Sequence, residues 1–293
     1  MLLNASGCLD ALTAPDVARS LDVFVTKTVT PLPRGGNTPV RIAETDVGML
    51  NSIGLANPGI DRFLTRNLPA LEKLGVPIWV SVGGFETDDY ADICSRLDDH
   101  AVVSAIELNV SCPNVDAPTE TTSQIVAAAR LATRKPLWAK LSPSVPDIAE
   151  MARAAHTAGA DGLSLVNTLR GLKLDPATLR PALGPGQGGL SGPALKPIAL
   201  GAVATCYRAT EMPIVGMGGV QTGLDALEFI AAGAQHVALG TVLFSDPDAP
   251  VRVRAELHAA ALERGWSAPE DAFAIAHEQS LTTGTTARAR LTA

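Results

Sequence analysis

Eight short runs rich in β-branched and aliphatic residues alternate with helix-like segments along the chain, and no other feature restricts the possible folds as much. They cover residues 2–6, 22–28, 77–82, 104–110, 136–141, 162–167, 213–217 and 235–240. Ile78-Trp79-Val80-Ser81-Val82 and Leu163-Ser164-Leu165-Val166 are nearly continuously apolar. A half-exposed antiparallel strand would alternate, so these read as parallel strands covered by helices on both faces. The intervening segments carry helix start signals, with Thr87-Asp88-Asp89 before residues 90–97, Thr121-Thr122 before 125–132, Pro146-Asp147 before 148–158 and Thr222 before 224–232. Gly159 and Gly233 close two of these segments as C-caps that feed the next strand. Eight strand–helix units in 293 residues point to a (β/α)8 barrel, one domain over residues 1–293, with a doubly wound open sheet as the other arrangement. The polar, weakly patterned tail from about residue 280 is expected to be mobile.

A barrel of this kind gathers its chemistry at the C-terminal ends of the strands. Those ends read Ala5-Ser6-Gly7, Lys27-Thr28, Gly83-Gly84, Asn109 to Asn114, Lys140-Leu141-Ser142, Asn167-Thr168, Gly218-Gly219 and Gly240-Thr241. Each cluster alone would suit an ordinary polar loop; their coincidence at one face carries the inference. In Asn109-Val110-Ser111-Cys112-Pro113-Asn114 two carboxamides flank a thiol, which offers hydrogen bonds to a planar polar ligand beside a possible proton acceptor. A small buried cysteine between turn-forming asparagines fits the same six residues. Lys27 and Lys140 follow apolar strands directly and aim two ammonium groups at the barrel mouth, where lysines are seldom buried without a partner. The glycines of residues 216–220, with Gly240-Thr241, suit backbone N–H contacts to a phosphate. Two long loops, residues 48–59 and the glycine-rich 184–193, are expected over the mouth, with Pro193 opening a helix. None of the five histidines falls at a strand's C-terminal end.

A net charge of -7 without clustered Lys and Arg argues against a nucleic-acid surface. No run of about 18 apolar residues suggests a membrane span, and no signal-peptide pattern opens the chain, so the cytoplasm is the expected compartment. Four scattered cysteines without a C-x-x-C pair suit reduced thiols, and an iron–sulfur cluster would belong to a partner.

Taken together, these stretches closely resemble the class 1 dihydroorotate dehydrogenases. The likeness is carried by Asn4-Ala5-Ser6-Gly7-Cys8, Thr26-Lys27-Thr28, Asn51-Ser52-Ile53-Gly54-Leu55, Asn109 to Asn114, Lys140-Leu141-Ser142-Pro143, Val166-Asn167-Thr168, Gly189-Leu190-Ser191-Gly192-Pro193, residues 216–220 and Leu239-Gly240-Thr241. It implies an FMN barrel that oxidises (S)-dihydroorotate to orotate in pyrimidine biosynthesis. By that resemblance Cys112 is the base that removes the C5 proton while the C6 hydride passes to the flavin. Asn51, Asn109, Asn114, Asn167 and Thr168, with the backbone of Ile53, Gly54 and Leu55, would hold the pyrimidine ring and carboxylate. Lys27 would bridge flavin and substrate, and Lys140 would face the flavin's N1 and O2. Ala5, Ser6, Gly7, Thr28, Asn109 and Val166 would line the flavin, and Gly192, Gly218, Gly219, Gly240 and Thr241 would hold its phosphate. The Lys140 and Gly189 stretches look more like class 1B, which implies a homodimer served by an FAD and [2Fe–2S] subunit that passes electrons to NAD+; fumarate-using class 1A is the alternative. The chain departs from relatives in starting almost directly on the first barrel strand, in a short loop after Asn114, and in its polar tail.

Rival readings are a dihydropyrimidine dehydrogenase-like enzyme acting on uracil or thymine, a Schiff-base aldolase using Lys140, and a non-catalytic flavin- and orotate-binding protein. Flavin absorbance and the substrate that bleaches it separate them.

Overall fold

Residues 1–110 and 119–278 are described by a computed structural model. Among them twelve strands occur: β1 Leu2–Asn4, β2 Phe24–Val25, β3 Ile42–Thr45, β4 Gly48–Asn51, β5 Ile78–Val82, β6 Val103–Asn109, β7 Leu137–Leu141, β8 Gly162–Leu165, β9 Leu169–Leu172, β10 Gln187–Ser191, β11 Ile214–Met217 and β12 His236–Leu239. Eight form one all-parallel sheet in the order β1-β12-β11-β8-β7-β6-β5-β2. A parallel bridge between Leu3 and Val23 joins the two ends of that order, so the sheet is a barrel and not an open doubly wound one. Asn4 fastens this seam. Its buried carboxamide accepts from the Val25 N–H at 2.8 Å and donates to the Val25 carbonyl at 2.7 Å, standing in for a ladder pair that short β2 does not form.

All eight expected runs therefore form barrel strands, several shorter than the apolar pattern suggested. β1 stops at Asn4 because Gly7, at φ +78, turns the chain away. The helices between strands begin where capping chemistry places them. Glu86 and Asp89 form a capping box at Thr87–Asp98, Asp147 accepts from the Ala149 and Glu150 N–H groups at Ile148–Thr157, and Thr222 with Asp225 caps Gly223–Ala231.

Period-2 alternation sorts the strand residues into two cores. Outward residues such as Ile78, Ile106, Leu108 and Leu163 pack against the helices, each buried side chain worth roughly 1.5–3 kcal/mol. Inward residues Leu3, Val23, Val25, Trp79, Ala105, Trp138, Val215, Met217 and Ala238 fill the barrel. Trp79 and Trp138 stack at 4.7 Å between ring centroids, and a Cβ on Gly162 would lie 2.5 Å from the Trp138 ring, so only glycine leaves room there. Two residues further along the same strands, the inward positions become Ser81, Glu107, Lys140 and Ser164, all buried. An apolar floor thus gives way to a polar layer beneath the mouth.

The two loops expected over the mouth are partly strands. β3, β4, β10 and β9 form an antiparallel four-stranded sheet, with Met49 opposite Ser191 and Gly189 opposite both Asn51 and Arg170. This corrects the reading of residues 48–59 and 184–193 as loops. Their glycines mark close backbone approach, since a Cβ on Gly48 would lie 2.0 Å from the Ser191 carbonyl oxygen. Pro193 opens a 3-10 turn, Pro193–Leu195, that runs into the helix Lys196–Thr210.

Candidate active site

The strand ends meet in a chain of hydrogen bonds across the barrel mouth. Ser6 Oγ donates to the Thr26 carbonyl at 2.8 Å and lies 3.4 Å from Thr28 Oγ1. Thr28 Oγ1 is 3.1 Å from Ser81 Oγ and accepts from Asn109 Nδ2 at 3.3 Å. Asn109 Oδ1 in turn accepts from Asn167 Nδ2 at 3.3 Å, and Asn167 Oδ1 accepts from the Thr168 N–H at 2.8 Å. Five strands therefore fix their carboxamides and hydroxyls against one another, which sets each rotamer before any ligand arrives. Tyr90 holds the Asn109 carbonyl from below through its hydroxyl, at 2.9 Å.

Charge is concentrated beside this chain. Lys140 is buried near the C-terminal end of β7, within the strand and not after it, whereas half-buried Lys27 follows β2. Burial, with the Lys140 charge second, pulls the Lys27 ammonium below the usual lysine range. The Lys140 ammonium lies 3.6 Å from Glu107 Oε1, inside the barrel. Cys8 shares this neighbourhood, and burial pushes its thiol up despite the charges of Lys140 and Lys27. A thiol so raised stays protonated near neutrality, so Cys8 is no candidate base.

Glycines define the far end. Gly192, Gly218 and Gly219 sit at φ +98, +121 and +83, and a Cβ on Gly219 would lie 2.9 Å from the Gly192 carbonyl oxygen and the Lys196 nitrogen. A Cβ on Gly240 would meet Ala5 at 3.6 Å and Cys8 Sγ at 3.8 Å. Thr241 Oγ1 donates to Ser191 Oγ at 2.9 Å, and the Val166 N–H donates to the Met217 carbonyl. Ala5, Gly192, Gly218, Gly219, Gly240 and Thr241 thus lie along one run of loops. Lys196, next to this run, is committed elsewhere: Asp225 and Glu228 bind its ammonium at 2.5 and 2.7 Å and hold its pKa up.

The antiparallel sheet brings the remaining residues over the mouth. Asn51 Nδ2 donates to the Gly189 carbonyl at 3.3 Å, and a Cβ on Gly189 would lie 1.9 Å from Thr168 Oγ1. Ile53, Gly54 and Leu55 are braced by Asn37, whose N–H donates to the Ile53 carbonyl. Leu55, at φ +56, reaches within 4.0 Å of a Cβ placed on Gly83 at the end of β5. Gly7 packs on Lys27, where a Cβ would lie 2.9 Å from Cδ. Ser111, Cys112, Pro113 and Asn114, and the tail beyond residue 278, lie outside the described residues.

Sequence reasoning passed over Glu107, Ser81, Ser164 and Cys8. The signal for Glu107 was present as a lone carboxylate inside Ala105-Ile106-Glu107-Leu108, a position that water does not reach. Ser164 Oγ and Glu107 Oε1 are buried without a hydrogen-bond partner among the described residues.

Residues 1–261 match the family model described as dihydroorotate dehydrogenase. A relative from Desulforudis audaxviator, "Dihydroorotate dehydrogenase B (NAD(+)), catalytic subunit", is 46% identical over 264 residues, 88% of this chain and 86% of its own. One of the same name from Listeria welshimeri is 46% identical over 234 residues, 78% of this chain and 77% of its own. A relative from Solibacter usitatus that carries the fumarate-type (A) name is 46% identical over 246 residues, 81% of each chain. Among solved structures, ligand-free DHODH from Eimeria tenella superposes with a TM-score of 0.80 at 25% identity, covering 94% of this chain and 88% of that one.

Proposed function

Because the chain belongs to the dihydroorotate dehydrogenase family, and so is an oxidoreductase that converts dihydroorotate to orotate in pyrimidine biosynthesis, we propose that it does so with FMN at this mouth and Cys112 as base. The observation that carries the reading is the convergence of two lysine ammoniums, the Ser6–Thr28–Asn109–Asn167 chain and the positive-φ glycine loops on one face of the barrel. The residues fit such a group. Among the described residues Lys27 and Lys140 outweigh the one buried carboxylate beside them and Ser164 Oγ lacks a partner, and Cβ atoms would fill the space at Gly192 and Gly219. A planar, anionic ligand with a phosphate answers all three.

In this reading Gly192, Gly218, Gly219, Gly240 and Thr241 hold the phosphate, while Ala5, Ser6, Gly7, Thr28, Asn109 and Val166 line the ring. Lys140 faces the ring's pyrimidine end, and Lys27 stands between ring and substrate. When bound, FMN supplies a two-electron acceptor. The rest falls to the chain. Asn51, Asn109, Asn114, Asn167 and Thr168, with the backbone of Ile53 to Leu55, hold the substrate's amides and carboxylate. Cys112, as thiolate, takes the C5 proton. An unperturbed thiol has a pKa of about 8.5, so turnover rises with pH toward that value.

The names of the Desulforudis and Listeria relatives support a catalytic subunit of an NAD+-using enzyme with a partner subunit; that this partner carries FAD and [2Fe–2S] follows the resemblance. The Solibacter relative favours fumarate as the second reading. A homodimer follows the resemblance. The described cysteines are all unpaired, which supports a reducing cytoplasm.

The test is anaerobic addition of dihydroorotate to the flavin-loaded chain. Rapid bleaching of the flavin band is expected, with NAD+ plus partner, or fumarate alone, restoring it. Bleaching by dihydrouracil instead would move the assignment to another pyrimidine, and bound orotate without bleaching would leave a non-catalytic binder. Cys112→Ala is expected to keep FMN and orotate binding and to lower turnover by roughly 100-fold or more, the usual contribution of a positioned base; wild-type turnover would remove Cys112 from that role.

A further inference from the structure

Inside the barrel lies a charged pair of which the proposed reaction uses only one member. Glu107 projects from β6 and Lys140 from neighbouring β7, each one inward step above the Ala105 and Trp138 floor. Oε1 and Nζ are 3.6 Å apart, with 2% of the Glu107 side chain and 7% of the Lys140 side chain exposed. Among the described residues Glu107 Oε1 has no hydrogen-bond partner. Lys27 adds a second ammonium close enough to act on Lys140.

Stability alone is a poor account of this arrangement, because a buried ion pair seldom outperforms apolar side chains of similar volume. A carboxylate set below two ammoniums does two other things. It fixes the direction of the ammonium it pairs with, and it cancels part of the positive field at the mouth.

We propose that Glu107 is a positioning residue for Lys140 and the counter-charge of the flavin site, setting how strongly the site favours reduced over oxidised FMN. The inference rests on the reading of this mouth as the FMN site. With Glu107 neutral, the mouth gains one unit of positive charge and the more electron-rich form of the flavin is favoured. With Lys140 neutral, the opposite holds. Removing both charges together restores the original balance.

The experiment is the two-electron reduction potential of bound FMN, read by absorbance against a reference dye in the wild type, Glu107→Gln, Lys140→Met and the double variant. Glu107→Gln keeps the side chain's shape and an acceptor oxygen. It is expected to shift the equilibrium at least tenfold toward reduced flavin, about 30 mV upward for a two-electron couple. Lys140→Met moves it downward, and the double variant returns to within about threefold of wild type. A merely structural Glu107 would alter melting and leave the potential in place. Glu107→Gln that binds FMN and orotate at an unchanged or lowered potential overturns the inference. If Glu107→Gln fails to load flavin, the charge-balanced double variant decides: a potential as low as that of Lys140→Met alone overturns the inference, and a return to near the wild-type value supports it. A wild-type chain that takes up no FMN would overturn the flavin reading itself.

Discussion

Gly189→Ala sets two effects of opposite sign against each other at the roof of the site. Gly189 lies within β10, pairs with Asn51, and accepts from the Asn51 carboxamide. Its φ is not left-handed, so alanine meets no backbone strain. By chain entropy alone the substitution would stabilise the protein by about 0.4–1 kcal/mol. The added Cβ, however, would lie 1.9 Å from Thr168 Oγ1 and 2.6 Å from Thr168 Cβ. Overpacking of this kind costs about 1–3 kcal/mol. The cheapest relief is for the Thr168 side chain to turn away, so the net loss of stability stays near 1 kcal/mol. The ligand bears the rest. Losing a hydrogen bond to an anionic substrate costs about 1.5–3 kcal/mol, which is roughly a tenfold to 150-fold weaker affinity for orotate. Titration of orotate into the flavin-loaded variant, followed by the flavin spectrum, measures this directly, and a parallel melt measures stability. Wild-type orotate affinity would refute the placement of Thr168 against the substrate, and a raised melting temperature would refute the contact.

Two further outcomes follow from the barrel floor. Gly162→Ala drives a methyl against an indole already braced by Trp79, and denaturant unfolding should report a loss of about 1–3 kcal/mol; a neutral or stabilised variant would show that Trp138 can yield. Burial beside Trp138 lowers His236 to about 4, so the folded state prefers the neutral ring. Its share of stability is full above the ordinary histidine value of about 6.5 and is lost as pH falls toward 4. Melting of His236→Gln across that window should therefore be flatter than wild type, and parallel curves would exclude the histidine as the cause.

The eight barrel strands are legible in the sequence because strands covered on both faces must be almost wholly apolar, as in Ile78-Trp79-Val80-Ser81-Val82. The small sheet is not. β4 and β10 are half-exposed and carry Gly48, Gly188 and Gly189, residues that ordinarily mark a turn, and they pair across a sequence gap that no local pattern spans. What requires glycine there is the approach of Ser191 and Thr168, which only three dimensions reveal. The lysines were legible as cations after apolar runs, whereas Glu107 hid as a single acid in an otherwise hydrophobic strand. Cys112 and Asn114 fall outside the described residues, and their roles rest on resemblance.

The sheet over the mouth also makes the site depend on two levels of assembly. Its central pairing joins Met49 to Ser191, residues 142 apart in the chain. A pairing between two insertions carried by different barrel strands holds only while the barrel keeps both of their ends in place. The lysines and the polar layer stand on the barrel strands and their ends, one level below the roof. In the proposed reading, contacts to a cofactor from the strand ends need the barrel alone, whereas contacts to substrate from Asn51 and Thr168 need this pairing as well.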